Sequence, residues 1–145
     1  MEASVIRPLI FLLCALGQGA CYGREINMDR IVAAVAMVES GARWVDTGDV
    51  RGPWQRGLYG EVSHWQITTA VLTDLGLSDR QRRKVASDPV YAESVFRLWY
   101  ARLLLRTGSH AEALAAYNRG LGGIHRGDAR DYAQRCMNLA LEPIK

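Results

Sequence analysis

Apolar residues recur every three or four positions along most of the chain, which is the spacing of amphipathic helices. The first such stripe, within residues 28–41, comprises Ile31, Val32, Val35 and Val38. Further helical segments are predicted at residues 70–75, 79–85, 89–106, 111–118 and 129–141. No strand-like alternation of useful length appears in the sequence. The pattern therefore predicts an all-α fold with five or six helices and one long loop.

Residues that can cap a helix precede each predicted segment, because their side chains accept hydrogen bonds from free N–H groups of the first turn. These residues are Asn27, Thr68 or Thr69, Ser78, Asp88, Ser109 and Asp128. Ser78 with Gln81 and Ser109 with Glu112 match the capping-box pattern. The longest helix is expected to bury an apolar stripe of Ala92, Val95, Phe96, Trp99 and Leu103.

The long loop, residues 42–60, is rich in glycine and shows neither helical nor strand periodicity. Loops of this length in a compact domain are usually functional or disordered, and Trp44, Trp54 and Tyr59 argue for order. Aromatic rings offer faces on which sugars stack, and they equally well anchor a loop to a core. Both interpretations stay open at this stage.

Glu39 is the most informative single residue, because it continues the apolar stripe of the first helix. Ser40 and Gly41 follow it, which places Glu39 in the last turn, near the negative end of the helix dipole. Desolvation and this dipole both favour a raised pKa, as a general acid requires. The alternative is a glutamate that bends outward into solvent at the helix end.

The composition indicates one globular domain, with 145 residues, 49% apolar and 23% charged residues. Residues 1–23 differ from the rest: one basic residue, an apolar run at 8–16 and a small, weakly polar end are typical of a secretory signal peptide. The apolar run is too short to span a bilayer. We therefore expect residues 1–23 to be removed and residues 24–145 to form a secreted or periplasmic domain. The net charge of +3 suits an anionic partner such as cell-wall polymer.

The three cysteines are Cys14, Cys21 and Cys136. Cys14 would leave with the signal peptide, whereas Cys21 could remain and pair with Cys136, or serve as a lipid attachment site. If Cys21 is removed too, Cys136 is a lone thiol. No metal-ligand spacing appears in the sequence, and we expect no cofactor.

Three short motifs follow one another along the chain. They are Glu39-Ser40-Gly41, Trp65-Gln66-Ile67 and Ala116-Tyr117-Asn118-Arg119-Gly120. Together, in this order and at these spacings, they resemble the soluble lytic transglycosylases and the related goose-type lysozymes. The resemblance covers roughly residues 26–141 and implies a lysozyme-like fold whose long loop carries the second motif.

The resemblance implies that the enzyme cleaves the β-1,4 bond between MurNAc and GlcNAc in peptidoglycan and leaves 1,6-anhydromuramyl ends. Glu39 would be the general acid and then the base. Gln66 would orient the N-acetyl group, Tyr117 would lie near the acid, and Asn118 would hold the sugar or the acid. Ser40, Glu61 and Trp65 complete the candidate substrate-binding set.

The sequence also departs from the family pattern. Ser63 stands where the family has a glycine, three residues before Gln66, and the segment before the second motif looks inserted. That segment supplies Glu61, and the loop supplies Asp46 and Asp49, the latter two as turn formers with Gly48. A muramidase that uses Glu61 or Asp49 to activate water is therefore an alternative. A non-catalytic glycan-binding module is another.

The expected partners are peptidoglycan strands. Membership of the protein in a larger secretion or envelope assembly is left open. Neither nucleic-acid binding nor stable membrane insertion after signal removal is expected. The histidines, His64, His110 and His125, are predicted to lie on the surface, with His64 the one able to touch substrate.

Overall fold

A computed structural model describes residues 26–44, 50–51 and 60–142. In this part of the chain there are six α-helices: α1 (Met28–Ser40), α2 (Thr69–Asp74), α3 (Asp79–Val85), α4 (Pro89–Thr107), α5 (His110–Arg119) and α6 (Gly127–Leu141). A 3₁₀ turn, Leu121–Gly123, joins α5 to α6. Two short antiparallel strands, β1 (Arg43–Trp44) and β2 (Val50–Arg51), pair Arg43 with Arg51 and Trp44 with Val50. The predicted all-α fold is confirmed.

The helix ends follow from their capping residues. Asn27 Oδ1 accepts the N–H of Arg30 at 3.0 Å, and Thr68, Ser78, Asp88 and Ser109 accept in the same way at their helices. Each bond satisfies a donor that the first helical turn leaves free. These predicted boundaries are confirmed to within one residue.

The start of α6 differs from the prediction. Asp128 does not cap the helix, because α6 already begins at Gly127 and Asp128 lies in its first turn. There its carboxylate is favourably placed toward the helix dipole. It also forms ion pairs with Arg119 at 2.7 Å and with Arg126 at 3.2 Å. The residue therefore ties α6 to the end of α5.

The core lies where α6 packs against α1 and α5, and α5 packs against α4. Its centre is an aromatic column in which Phe96 stacks between Trp65 and Tyr100, each with ring centroids 5.8 Å apart. Tyr117 meets the edge of Phe96 at 5.3 Å. None of the helices in the described ranges is both long and apolar enough to cross a membrane.

The buried stripe of α4 is rotated slightly from the predicted one. Tyr100 is buried in the core, whereas Trp99 is only half-buried. The phenol of Tyr100 finds a partner there, since its oxygen lies 2.9 Å from Nδ1 of His110 and the two rings stack. His110 is therefore half-buried, and the prediction that it lies on the surface is wrong.

The turn between α5 and α6 requires a glycine at one position. A Cβ added at Gly123 would lie 2.7 Å from Cβ of Arg119, which is part of the helix wall rather than a flexible side-chain end. We expect Gly123→Ala to lower the free energy of unfolding by about 1–3 kcal/mol, as for other overpacked sites. Urea denaturation measures this effect.

Gly122→Ala is the matched control, because a Cβ at Gly122 meets no atom within 4 Å. We expect that variant to stay within about 0.5 kcal/mol of the wild type. Equal losses in the two variants would contradict the assigned packing of the turn.

Candidate active site

Glu39 lies in the last turn of α1, which ends directly after it. Gly41 has a φ of 68°, a conformation that glycine adopts without strain, and its N–H donates to Met37 O at 3.0 Å. The carboxylate is half-buried, and Oε1 accepts a hydrogen bond from the Tyr132 hydroxyl of α6 at 2.7 Å. The side chain therefore points toward α6 instead of extending into solvent.

Burial raises the pKa of Glu39 above its ordinary value of 4.5. The hydrogen bond from Tyr132 acts in the opposite direction, the negative charge of Glu61 raises the pKa further, and Arg135 lowers it. The net direction is upward, because desolvation of the charged form is the largest effect. The raised pKa predicted from the sequence is confirmed.

Because the pKa of Glu39 is raised, the contribution of this residue to the stability of the protein falls as pH rises. Above the ordinary value of 4.5, the unfolded chain has released the Glu39 proton while the folded chain still holds it. Stability therefore decreases as pH rises through this window, up to the pKa of the folded state. We expect Glu39→Gln to become more stable relative to the wild type as pH rises above 4.5. Paired urea denaturation curves across this range test the sign, and a pH-independent difference would contradict it.

The second motif lies in a tight turn closed by Val62 and Ile67. Their backbones exchange two hydrogen bonds, at 3.1 and 2.9 Å. Gln66 donates its side-chain amide N–H to Ser63 O at 2.9 Å, so its side chain is braced across the turn.

Ser63 adopts a left-handed conformation, with a φ of 76°. This is the position where the lytic transglycosylases have glycine, and a serine there costs about 1–2 kcal/mol of backbone energy. Its hydroxyl accepts the N–H of Trp65 at 3.3 Å and holds the turn in place. The turn therefore has a backbone geometry at residue 63 that favours glycine.

Trp65 is a core residue, not a substrate-binding one. Its side chain is 1% exposed, its ring stacks on Phe96, and its indole N–H donates to Val32 O of α1 at 3.0 Å. A ring enclosed in this way offers no face to a sugar. The expected binding role of Trp65 is wrong, because the turn directs this side chain inward.

Ser40 is another candidate that the structure assigns differently. Its side chain is buried, and its hydroxyl donates to Ala36 O within α1 at 2.9 Å. This backbone bond commits the hydroxyl to the end of the helix. A direct substrate contact by Ser40 is therefore not supported.

Tyr117 and Asn118 lie in the last turn of α5. Tyr117 donates its hydroxyl to Trp65 O at 2.5 Å, so its hydrogen bond goes to the second motif. Burial and the nearby charge of Glu39 raise its pKa, which keeps the hydroxyl protonated as a donor. Asn118 is half-buried beside it. Residues from all three motifs are thus brought together around the end of α1.

Two neighbours of Glu39 lie outside the three sequence motifs, namely Tyr132 and Cys136 of α6. Burial and the Glu39 charge raise the pKa of Tyr132. Cys136 is fully buried, and burial raises the pKa of its thiol to about 12. Its suggested disulfide partner, Cys21, lies outside the described residues.

Glu61 is half-buried, and its charge reaches Glu39 strongly enough to raise the Glu39 pKa. The other carboxylates considered, Asp46 and Asp49, lie outside the described residues, as do Trp54 and Tyr59. Within the described ranges no cluster of three His, Cys, Asp or Glu side chains could hold a metal ion.

The prediction that His64 lies on the surface is wrong. It is buried beside Trp65, whose ring it meets edge-on with centroids 5.7 Å apart. The turn that directs Trp65 inward also encloses this neighbouring side chain. His125, by contrast, is exposed as expected.

Comparisons of the chain with family models, curated proteins and solved structures found no match. The geometry of the site combines a half-buried acid of raised pKa, a tyrosine that donates to it, a braced amide and a second carboxylate nearby. Such a set can protonate a leaving oxygen and later accept a proton.

Proposed function

We propose that the protein is a peptidoglycan lytic transglycosylase that cleaves the MurNAc-GlcNAc β-1,4 bond with Glu39 as general acid and base. The observation that carries this proposal is the hydrogen bond from Tyr132 to a half-buried Glu39 whose pKa is raised. Cleavage of a glycosidic bond needs a protonated carboxyl group beside the leaving oxygen. Glu39 meets that need, and the ordered motifs around it support the substrate class.

In the proposed reaction, Glu39 donates its proton to the glycosidic oxygen as the bond to the muramyl C1 breaks. The N-acetyl group of the substrate stabilises the positive charge that develops at C1. Glu39, now ionised, takes the proton of the muramyl 6-hydroxyl, whose oxygen bonds to C1 and forms the 1,6-anhydro ring. The acid is thereby regenerated without consumption of water.

The neighbouring residues have supporting roles in this scheme. Gln66, whose side chain is held by Ser63, would orient the N-acetyl group through its amide. Tyr117 holds the turn that carries Gln66 by donating to Trp65 O, and Asn118 completes the α5 end of the site. Tyr132 fixes the direction of the Glu39 carboxyl group.

A muramidase is the second candidate, favoured by one observation, the influence of Glu61 on Glu39. A second carboxylate about 6.5–9.5 Å from the acid could activate water for inverting hydrolysis. Asp49 would have to act from the loop outside the described residues. A non-catalytic glycan-binding module would need no acid with a raised pKa, and this argues against it.

Mass spectrometry of the soluble products distinguishes these functions. Purified protein and Glu39→Gln are incubated separately with peptidoglycan sacculi. Anhydro-muropeptides from the wild type alone are the expected result. Reducing-end products would instead establish a hydrolase and direct attention to Glu61, and no products from a folded wild type would favour the binding module.

A further inference from the structure

Helix α4 carries apolar residues on two opposite sides. One side, which includes Phe96 and Tyr100, lies in the core. The other comprises Val90, Leu98, Ala101 and Leu105, which fall within one stripe at helical spacing. We call these four residues the outer face of α4. Val90, Leu98 and Leu105 are 80%, 49% and 71% exposed, so the outer face packs little against the rest of the described chain.

Cationic side chains border the outer face on one side. Arg102 and Arg106 are exposed there, and among the described residues neither forms an ion pair. Nearer the start of α4, Lys84 of α3 lies 4.7 Å from the ring of Tyr91, and its charge is paired with Asp88 at 3.7 Å. The positive charge of this border therefore comes from Arg102 and Arg106.

The opposite border of the outer face is closer to neutral. Arg97 forms ion pairs with Asp29 and Glu93, each at 2.7 Å. The positive charge is therefore concentrated along the side that carries Arg102 and Arg106. An open groove of about 530 Å³ runs along that side, lined by Asp74, Trp99, Arg102, Leu103, Leu105 and Arg106.

We propose that the outer face of α4 binds an anionic membrane surface. Leu98 and Leu105 would enter the interface between headgroups and acyl chains, while Arg102 and Arg106 contact lipid phosphates. Protruding aliphatic residues beside arginines and a tryptophan are what interfacial helices present to anionic lipid. From Val90 to Leu105 the stripe is about 22 Å long, and the helix would lie parallel to the membrane plane.

Charge complementarity favours lipid over a second copy of the chain. A second copy would bring the same two arginines against the first pair. Of the acidic residues beside them, Glu93 is already paired with Arg97, and Asp74 in the groove offers one carboxylate for two arginines. A phosphate surface offers negative charge along the whole stripe. The proposal is independent of the catalytic one, because none of its residues belongs to the Glu39 site.

Co-sedimentation of the full chain with vesicles tests the proposal. Wild type is expected to bind mixed phosphatidylcholine and phosphatidylglycerol vesicles and to bind pure phosphatidylcholine far less. The double variant Leu98→Ser with Leu105→Ser should lose about tenfold or more in partitioning, because two buried aliphatic side chains are removed. Arg102→Gln with Arg106→Gln should lose roughly thirtyfold, given the contribution of each basic residue at an anionic surface.

The matched control is Leu141→Ser with Arg130→Gln on α6, where both side chains are also exposed. It should bind as the wild type does. Residues 8–16 are identical in every variant, so differences between variants report on α4. Circular dichroism checks that each variant is folded.

Three results would each overturn the proposal. The first is equal vesicle binding by the wild type and both α4 double variants. The second is equal binding of the wild type to the neutral and the anionic vesicles. The third is a lipid-free dimer in sedimentation velocity that the Leu98→Ser and Leu105→Ser variant fails to form, which would make the outer face a protein interface.

Discussion

Glu39→Gln is expected to reduce the rate of glycan cleavage by roughly 10²–10⁴-fold, the range that a positioned general acid contributes. Glutamine keeps an oxygen that can accept the Tyr132 hydrogen bond, so the site should retain its shape. The proton, however, is gone. Release of soluble muropeptides from labelled sacculi measures the rate, and circular dichroism checks the fold.

Tyr132→Phe is the informative companion variant. Loss of the Tyr132 hydroxyl removes the hydrogen bond that lowers the pKa of Glu39, so the pKa of Glu39 should rise further. The alkaline limb of the pH-rate profile should then move to higher pH, in addition to a lower maximum rate. A uniformly lower rate with an unmoved profile would show that Tyr132 only supports packing. Activity of Glu39→Gln within a few-fold of the wild type would refute the assignment of the acid.

Trp65→Ala is expected to lower the free energy of unfolding by about 3–5 kcal/mol, as large-to-small substitutions of buried aromatic residues do. The change would empty the space beside Phe96 and remove the hydrogen bond to Val32. Since small domains are stable by only about 5–15 kcal/mol, this is a large fraction of the total. Chemical denaturation followed by circular dichroism measures the loss.

Trp99→Ala provides the comparison, because that tryptophan is half-buried. Loss of the Trp99 side chain should lower the free energy of unfolding by about 1–2 kcal/mol, within the common range for point variants. Trp65→Phe should keep the activity per folded molecule within a few-fold of the wild type. A selective rise in KM for Trp65→Phe, without loss of stability, would restore a sugar-binding role for Trp65.

The helices could be predicted well because their signals are local. Asn27, Ser78 and Asp88 each precede a helix and satisfy its first free N–H groups, so the sequence a few residues away determines the boundary. Glu39 could be identified for a similar reason. Its position is fixed by the periodicity of α1 and by Gly41.

The site could be predicted only in part, because residues in a turn follow no regular periodicity from which the direction of their side chains could be predicted. Trp65 and His64 point inward because the backbone of Ser63 is left-handed. A serine in the sequence does not predict that conformation. Tyr132 had a signal, since it shares a stripe with Ala129, Ala133 and Cys136 on α6. That stripe predicts burial and does not say which helix it meets.

Helix α4 shows a related limit. Apolar residues on both of its sides leave the rotation of the helix undetermined from the pattern alone, and the pattern predicts burial of Trp99 instead of Tyr100. The choice is made by tertiary contacts, with Phe96 stacking on Tyr100 and His110 supplying a polar partner. Such contacts come from residues distant in the chain.

The turn at residues 62–67 also bears on how this domain could be re-engineered. Trp65, the neighbour of Gln66, is bound to Val32 of α1 through its indole N–H and to Tyr117 of α5 through its carbonyl oxygen. These two attachments, and not the length of chain leading to the turn, set the distance between Gln66 and the end of α1. We therefore expect that changes of chain length between residues 52 and 59 leave the separation of the acid and the amide unchanged. Under the proposed function, loop grafting at that segment is expected to change which glycan strands are selected while Glu39 and Gln66 stay in place.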